Sequence, residues 1–201
     1  MALVESGRYN ELPSLEEAND RREAEGMNEL INSRLRELFI RHGAQTAFTL
    51  YLAHRHHQLN QGEAIVKVNG TAHLMSTEAM QDIQAVGNKI VPTTWMGPDM
   101  IPMEFAVVPN TEEVQIPDPA FAAELASALA SVGYKGLFGI DTLDKQDWTE
   151  LKICDASVVV PSNGNESDEA YIPVAFAFDD KTPGFKVHGK CKKEHKHTSK
   201  P

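Results

Sequence analysis

Short segments typical of β-strands fall in runs along this chain, and that order constrains the fold more than any other feature. Residues 46–53 have the composition of one strand, and 65–68 form a second that ends at an Asn69-Gly70 turn. The two segments are close enough in sequence to pair as a hairpin. Further strand candidates lie at 90–95, 103–108, 149–154, 157–160 and 171–178. Because strands and helices do not alternate regularly, the pattern favours a mainly antiparallel sheet over a doubly wound parallel one.

The N-terminal part carries the strongest helix signal. Ser14 and Glu17 match a capping box, and apolar residues recur at three- and four-residue steps from Met27 to Phe39. These features predict one long amphipathic helix over 14–42, preceded by a flexible lead-in at 1–13.

Two shorter helices are also predicted. Ser76 can cap a helix that runs to about residue 86, and Pro119 suits the first turn of another that ends near residue 132. The sequence therefore predicts a single α+β domain over 14–185. Its mainly antiparallel sheet is packed by the long N-terminal helix and one or two further helices.

Charge is unevenly distributed. The chain of 201 residues has a net charge of −10, yet residues 186–201 contain six lysines and one glutamate. An acidic body disfavours nucleic acid as a partner, because phosphates would be repelled. Residues 186–201 are predicted to be a basic, disordered tail, and the identity of any protein or small-molecule partner stays open.

The sequence offers no sign of a membrane or secretory protein. No apolar run approaches the roughly 20 residues of a membrane helix, and residues 1–10 lack a basic region followed by an apolar stretch. The two cysteines, Cys154 and Cys191, cannot form a disulfide framework. These observations predict a soluble, cytoplasmic protein that does not contact membranes.

The first histidine cluster is a candidate metal site. In a strand, His54 and His56 would point to the same face, because side chains alternate with a period of two. Across the predicted hairpin, Glu63 or His73 could supply a third ligand. Two imidazoles and a third donor suit a divalent transition metal, with zinc favoured. The alternative is that His56 and His57 are exposed and that His54 is a buried histidine with satisfied hydrogen bonds.

The second cluster lies in the basic segment and is composed of His188, Cys191, His195 and His197. Thiolate and imidazole donors together suit zinc, copper or nickel ions. The alternative is a solvated tail rich in lysine and histidine. A combined site, in which the tail folds back onto His54 and His56, is a further hypothesis.

Acidic residues give weaker signals. Glu104 and Glu150 each interrupt an apolar strand-like segment and could act as acid and base, or as metal ligands, if both point inward. Simple alternation predicts that both point outward. Asp141, Asp144 and Asp147 lack the spacing of a calcium loop and are predicted to lie in a solvated connection.

Four segments of the chain are distinctive: SLEEANDRREAEGMNEL, HGAQTAFTLYLAHRHHQLNQGEAIV, VPTTWMGPDMIPMEF and the His/Cys segment near the C-terminus. These segments resemble a group of functionally uncharacterised fungal proteins. Together they cover a little over a third of the chain. The resemblance implies a fungal origin and no particular activity.

Three functions follow from these patterns. The first is metal binding through the histidine clusters. The second is a metal-free enzyme or small-molecule binder that uses His54 and His56 as acid and base, beside an apolar pocket near Trp95 and Met103. The third is a non-catalytic interaction module. The candidate catalytic residues are His54, His56, Glu104 and Glu150.

Overall fold

The structure is a computed structural model that describes residues 6–24, 27–97, 99–131, 136–153, 156–165, 167 and 169–193. Six α-helices lie in these ranges: α1 (Ser6–Asn10), α2 (Leu15–Ala24), α3 (Met27–Leu30), α4 (Arg36–Arg41), α5 (Thr77–Ala85) and α6 (Pro119–Ala130). A π-helical segment (Ile31–Leu35) joins α3 to α4, and a short 3-10 helix (Ala44–Thr46) follows α4. The same ranges contain ten strands: β1 (Phe48–Leu52), β2 (Glu63–Val68), β3 (Thr71–Ser76), β4 (Asn88–Met96), β5 (Ile101–Pro109), β6 (Phe138–Thr142), β7 (Trp148–Ile153), β8 (Ala156–Pro161), β9 (Tyr171–Phe178) and β10 (Phe185–Lys192).

The ten described strands close into a barrel. Their order is β1-β6-β4-β5-β2-β3-β8-β7-β10-β9, and β9 pairs back with β1. Two neighbouring pairs, β2–β5 and β7–β10, are parallel, and the others are antiparallel. The sheet is therefore mixed and closed on itself, and the helices around it are short. The prediction of an α+β domain with a mainly antiparallel sheet packed by a long helix is wrong. Closure depends on pairing between strands that are distant in sequence, and local alternation is the same in an open sheet and in a barrel.

The N-terminal helical region is also divided, so the predicted helix over 14–42 is wrong. The capping box is present, since the Ser14 amide donates to Glu17 Oε2 and the Glu17 amide donates to Ser14 Oγ. However, α2 ends at Ala24 and the next helix begins at Met27. The helical residues that follow are not one regular α-helix either, since Ile31–Leu35 is π-helical.

The predicted β1–β2 hairpin does not form. β1 pairs with β6 and β9, whereas β2 pairs with β3 and β5. The tight hairpin is instead β2–β3, which turns at Asn69 (φ 50°) and Gly70 (φ 79°). Positive φ at both positions is the geometry for which Asn-Gly pairs are favoured.

Polar side chains share one face of the barrel wall. Thr49 lies opposite Asp141, Asp141 opposite Thr94, and Thr94 opposite Glu104, and directly opposed residues point to the same face. Lys67 reaches the same side, because its Nζ lies 3.3 Å from Glu104 Oε2. The barrel therefore encloses a polar network.

The main apolar cluster includes residues from both faces of β1. Leu50 packs there in one buried cluster with residues of α4 and α6, and the rings of Phe39 and Phe121 meet edge to face at 4.9 Å. Burial of this kind contributes roughly 25 cal/mol per Å² of apolar surface. All five residues of β1 are buried, so both faces of this strand are covered.

Both segments that the sequence assigns to a lead-in and a tail contain regular structure. Residues 6–10 form α1, whose Tyr9 is buried, and residues 186–192 belong to β10. Residues 194–201, and with them His195 and His197, lie outside the described residues.

Among the described residues, no helix combines the length and the apolar character needed to cross a membrane.

Candidate metal centre

Two imidazoles lie just beyond the end of β1. The strand ends at Leu52, and its carbonyl oxygen lies 2.8 Å from His54 Nδ1. A carbonyl can only accept, so Nδ1 carries the proton and Nε2 keeps a free lone pair. His56 Nε2 lies 3.2 Å from His54 Nε2. The pair thus lies in the connection after β1, whereas the sequence analysis had placed the two histidines in a strand.

Glu150 and Cys191 are brought together by the parallel pairing of β7 and β10. Cys191 is directly opposite Glu150 in the register of these strands. Residues opposite each other share a face of a sheet. Cys191 Sγ donates to Glu150 Oε2 at 3.3 Å.

The two pairs meet in one cluster. His54 Nε2 lies 3.4 Å from Cys191 Sγ, and His56 Nε2 lies 3.4 Å from Glu150 Oε2. One donor atom from each of the four residues lies within 4.8 Å of every other. Zn–N bonds of about 2.0–2.1 Å and Zn–S bonds of about 2.3 Å place neighbouring ligand atoms of a tetrahedral site about 3.3–3.6 Å apart. Four of the six separations between these donor atoms, at 3.2–3.4 Å, are close to the edge length of such a site, and all six are within 4.8 Å.

The cluster is buried. The exposed fractions are 2% for His54, 7% for Glu150 and 0% for Cys191, and the side chain of His56 is 6% exposed. Burial lowers the pKa of His54 to about 4, so this imidazole is neutral near pH 7. Neutral imidazole is the form that binds metal ions.

The carboxyl and thiol groups respond to burial differently. Burial alone would raise the pKa of Glu150, but the charge and hydrogen bond of His56, with the positive charge of Lys67, hold it well below its usual range. Burial, together with the negative charge of Glu150, raises the pKa of the Cys191 thiol well above its ordinary value. A bound cation would favour the thiolate, because the coordinated form is the deprotonated one.

Neighbouring groups hold the ligands in place. Ser157 Oγ, on β8, donates to Glu150 Oε1, while Oε2 faces the cluster. The loop that carries the histidines is tied to the N-terminal segment. Arg55 Nε donates to the Leu12 carbonyl at 2.7 Å, and the Arg55 amide donates to the Pro13 carbonyl at 2.9 Å.

Other predicted ligands lie elsewhere. Glu63 Oε2 accepts from the Asn60 amide at 2.8 Å, and His73 is exposed on β3. Both predictions depended on the β1–β2 hairpin, which does not form. His188 Nδ1 lies 3.0 Å from Asp147 Oδ1, and His188 is not part of the cluster that contains Cys191. An irregularity in β10, between Val187 and Gly189, interrupts the alternation there.

Three acidic residues differ from the sequence predictions of exposure. Glu104 and Glu150 are 8% and 7% exposed, so the prediction that both point outward is wrong. Asp141 is 2% exposed, although a solvated connection was predicted. Glu104 pairs with Lys67 and is not part of the metal-ligand cluster. The sequence analysis assigned no role to Ser157, because an isolated serine in a strand carries no recognisable signal.

The apolar pocket predicted near Trp95 and Met103 has a counterpart. A surface cleft of about 620 Å³ is lined by Met96, Ile101 and Met103 together with residues of the N-terminal segment. Neither His54 nor His56 lines this cleft. The structure therefore does not place the two imidazoles at its wall, as the acid–base hypothesis required.

Comparison with protein-family models, curated proteins and solved structures gives no match. The resemblance to fungal proteins consequently stays a prediction, and the function is argued from the geometry.

Proposed function

We propose that this protein binds one divalent transition metal ion, with zinc favoured, through His54, His56, Glu150 and Cys191. The observation that carries the proposal is that one donor atom from each of these four buried side chains lies within 4.8 Å of every other, with four of the six separations at 3.2–3.4 Å. Nitrogen, oxygen and sulfur donors in tetrahedral geometry suit zinc better than magnesium or calcium, which prefer oxygen ligands alone.

Charge supports the same proposal. A buried carboxylate needs a compensating positive charge. A divalent ion bound by one carboxylate, one thiolate and two neutral imidazoles gives a site with no net charge. Without an ion, the positive charges of His56 and Lys67 compensate Glu150, and a bound ion would take over this role when both imidazoles are neutral ligands.

The proposed role of the metal is structural. Four protein ligands fill a tetrahedral zinc site, whereas catalytic zinc sites keep one position open for water or substrate. The ion would link the loop after β1 to strands β7 and β10, and so hold together parts of the barrel that are distant in sequence.

A reduced thiol is required for this ligand set. We therefore place the metal-bound protein in a reducing compartment such as the cytoplasm, where cysteines stay unoxidised.

The proposal is tested by elemental analysis of tag-free protein purified without chelator or metal-affinity resin. We expect about one zinc ion per chain in the wild type, because the four ligands form one site. The double variant His54→Ala/His56→Ala is expected to lose it. His73→Ala is the matched control, since this exposed imidazole lies outside the cluster, and it should retain the metal.

Two results would contradict the proposal. One is wild-type protein that stays metal-free after exposure to zinc and dialysis. The other is full metal retention in the double variant, which would place the ion elsewhere, for example on His195 and His197.

A further inference from the structure

The two carboxylate oxygens of Glu150 have separate partners. Oε1 accepts a hydrogen bond from Ser157 Oγ. Oε2 lies 3.3 Å from Cys191 Sγ and 3.4 Å from His56 Nε2. Only Oε2 thus faces the proposed ligand cluster.

The position of Ser157 is fixed by the barrel wall. It lies on β8, which pairs with β7 on one side and with β3 on the other. Its residue is 2% exposed, so water does not compete for its hydroxyl group. A buried hydroxyl donor with a carboxylate acceptor makes a charge-assisted hydrogen bond, which is stronger than a neutral one. Ser157 on β8 therefore holds Oε1 away from the cluster.

We infer that Ser157 is a positioning residue that restricts Glu150 to one-oxygen coordination and so sets the metal coordination number at four. This inference rests on the proposed function. With Oε1 free, the carboxylate can bind through both oxygens, and the site gains a fifth ligand atom. Ser157 consequently favours ions that accept four ligand atoms in tetrahedral geometry, such as zinc and cobalt(II), over nickel(II) in tetragonal sites with more than four ligand atoms.

Cobalt(II) is the probe for coordination number, because four-coordinate cobalt absorbs visible light far more strongly than five- or six-coordinate cobalt. We expect strong visible bands from the cobalt-loaded wild type and weaker bands from Ser157→Ala. We also expect zinc affinity to fall roughly 10–100-fold in Ser157→Ala, as is typical when a group that orients a ligand is removed. The ratio of zinc affinity to nickel affinity should be smaller in the same variant than in the wild type. Ser157→Thr keeps the hydroxyl and should restore the wild-type spectrum.

Thr94→Val is the matched control. It removes another buried hydroxyl, which donates to the Asp141 carboxylate at 2.8 Å and does not contact the four ligands. Its cobalt spectrum should equal that of the wild type, even if the variant is less stable. A purely structural role for Ser157 would make the two variants behave alike.

The outcomes separate the two proposals. Absence of cobalt and zinc binding in the wild type overturns both the proposed function and the role of Ser157. Wild-type band intensity and zinc affinity in Ser157→Ala overturn the role of Ser157 alone. If Ser157→Ala does not fold, X-ray absorption at the zinc edge of the wild-type protein measures the number of ligand atoms instead. Four ligands including one sulfur support the inference, and five or more overturn it.

Discussion

Asp141 is a buried carboxyl group whose surroundings favour the ionised form less than those of Glu150 do. Burial raises its pKa to about 7, and the nearby charge of Glu104 adds to this effect, while Lys67 and the Thr94 hydrogen bond oppose it. The unfolded chain has no such burial, so its carboxyl keeps an ordinary pKa near 3.8. The folded protein therefore binds a proton at Asp141 more tightly than the unfolded chain does.

The pH dependence of stability follows from this difference. With a raised folded-state pKa, the contribution of Asp141 to the free energy of unfolding falls as pH rises from about 4 to about 7. Between pH 5 and pH 8 we expect a loss on the order of 2–3 kcal/mol from this group. Asp141→Asn should remove that loss, so the difference between wild type and variant should change with pH. Urea unfolding of both proteins at the two pH values measures this difference in the free energy of unfolding. An equal pH dependence in wild type and Asp141→Asn would contradict the raised pKa of Asp141.

The site residues differ in how far the sequence reveals them. His54, His56 and Cys191 have side chains with evident metal chemistry, so a local pattern was enough to single them out. Glu150 looks like many exposed strand carboxylates, and only its position opposite Cys191 shows its role. That opposition is a property of strand pairing, which the local sequence does not encode.

At the scale of elements, the contact between β7 and β10 controls the cluster. Gly189 lies opposite Trp148, two residues before the Cys191–Glu150 pair. A Cβ atom at Gly189 would lie 2.3 Å from Trp148 Cζ2, well inside van der Waals contact. The indole ring thus occupies the space that any other side chain would need, and the two strands pair closely only because residue 189 is glycine.

Gly189→Ala is accordingly expected to be destabilising. Overpacking of this kind costs about 1–3 kcal/mol, and the displaced strand should also lower zinc affinity by separating Glu150 from Cys191. Gly7→Ala is the control, because a Cβ there meets no atom within 4 Å. Thermal unfolding and zinc titration of both variants check the prediction. Unchanged stability in Gly189→Ala would show that β7 and β10 can separate without cost.

Most strands were recognisable as elements, whereas their partners were not. The Asn69-Gly70 turn and the Ser76 cap of α5 are local features that the sequence predicts and the structure contains. The pairing of β1 with β6 and β9 links residues about 90 and 125 positions apart, and no local signal specifies it.

At the scale of the whole molecule, the cluster joins distant parts of the chain, since His54 and Cys191 are 137 positions apart. A ligand that binds the folded state alone shifts the unfolding equilibrium toward that state. For a single site, free zinc at 100 times its dissociation constant adds about 2.7 kcal/mol to the free energy of unfolding.

Zinc should therefore raise the melting temperature of the wild type by roughly 5–11 °C under those conditions. Cys191→Ser, which lacks the thiolate ligand, should show a much smaller shift. Calorimetry with and without zinc makes the comparison, and addition of a chelator should reverse the wild-type shift. An equal shift in both proteins would mean that the stabilising ion binds elsewhere.

Barrel closure also has a consequence for the order of events during synthesis. β1 needs β9 as a neighbour, and β9 in turn pairs with β10. When the ribosome has made β1 and the loop after it, His54 and His56 are present, but Glu150 and Cys191 have not yet been synthesised. The complete set can assemble only after β10 has emerged and docked. The complete four-residue cluster is therefore a late product of folding, and its assembly marks a finished barrel.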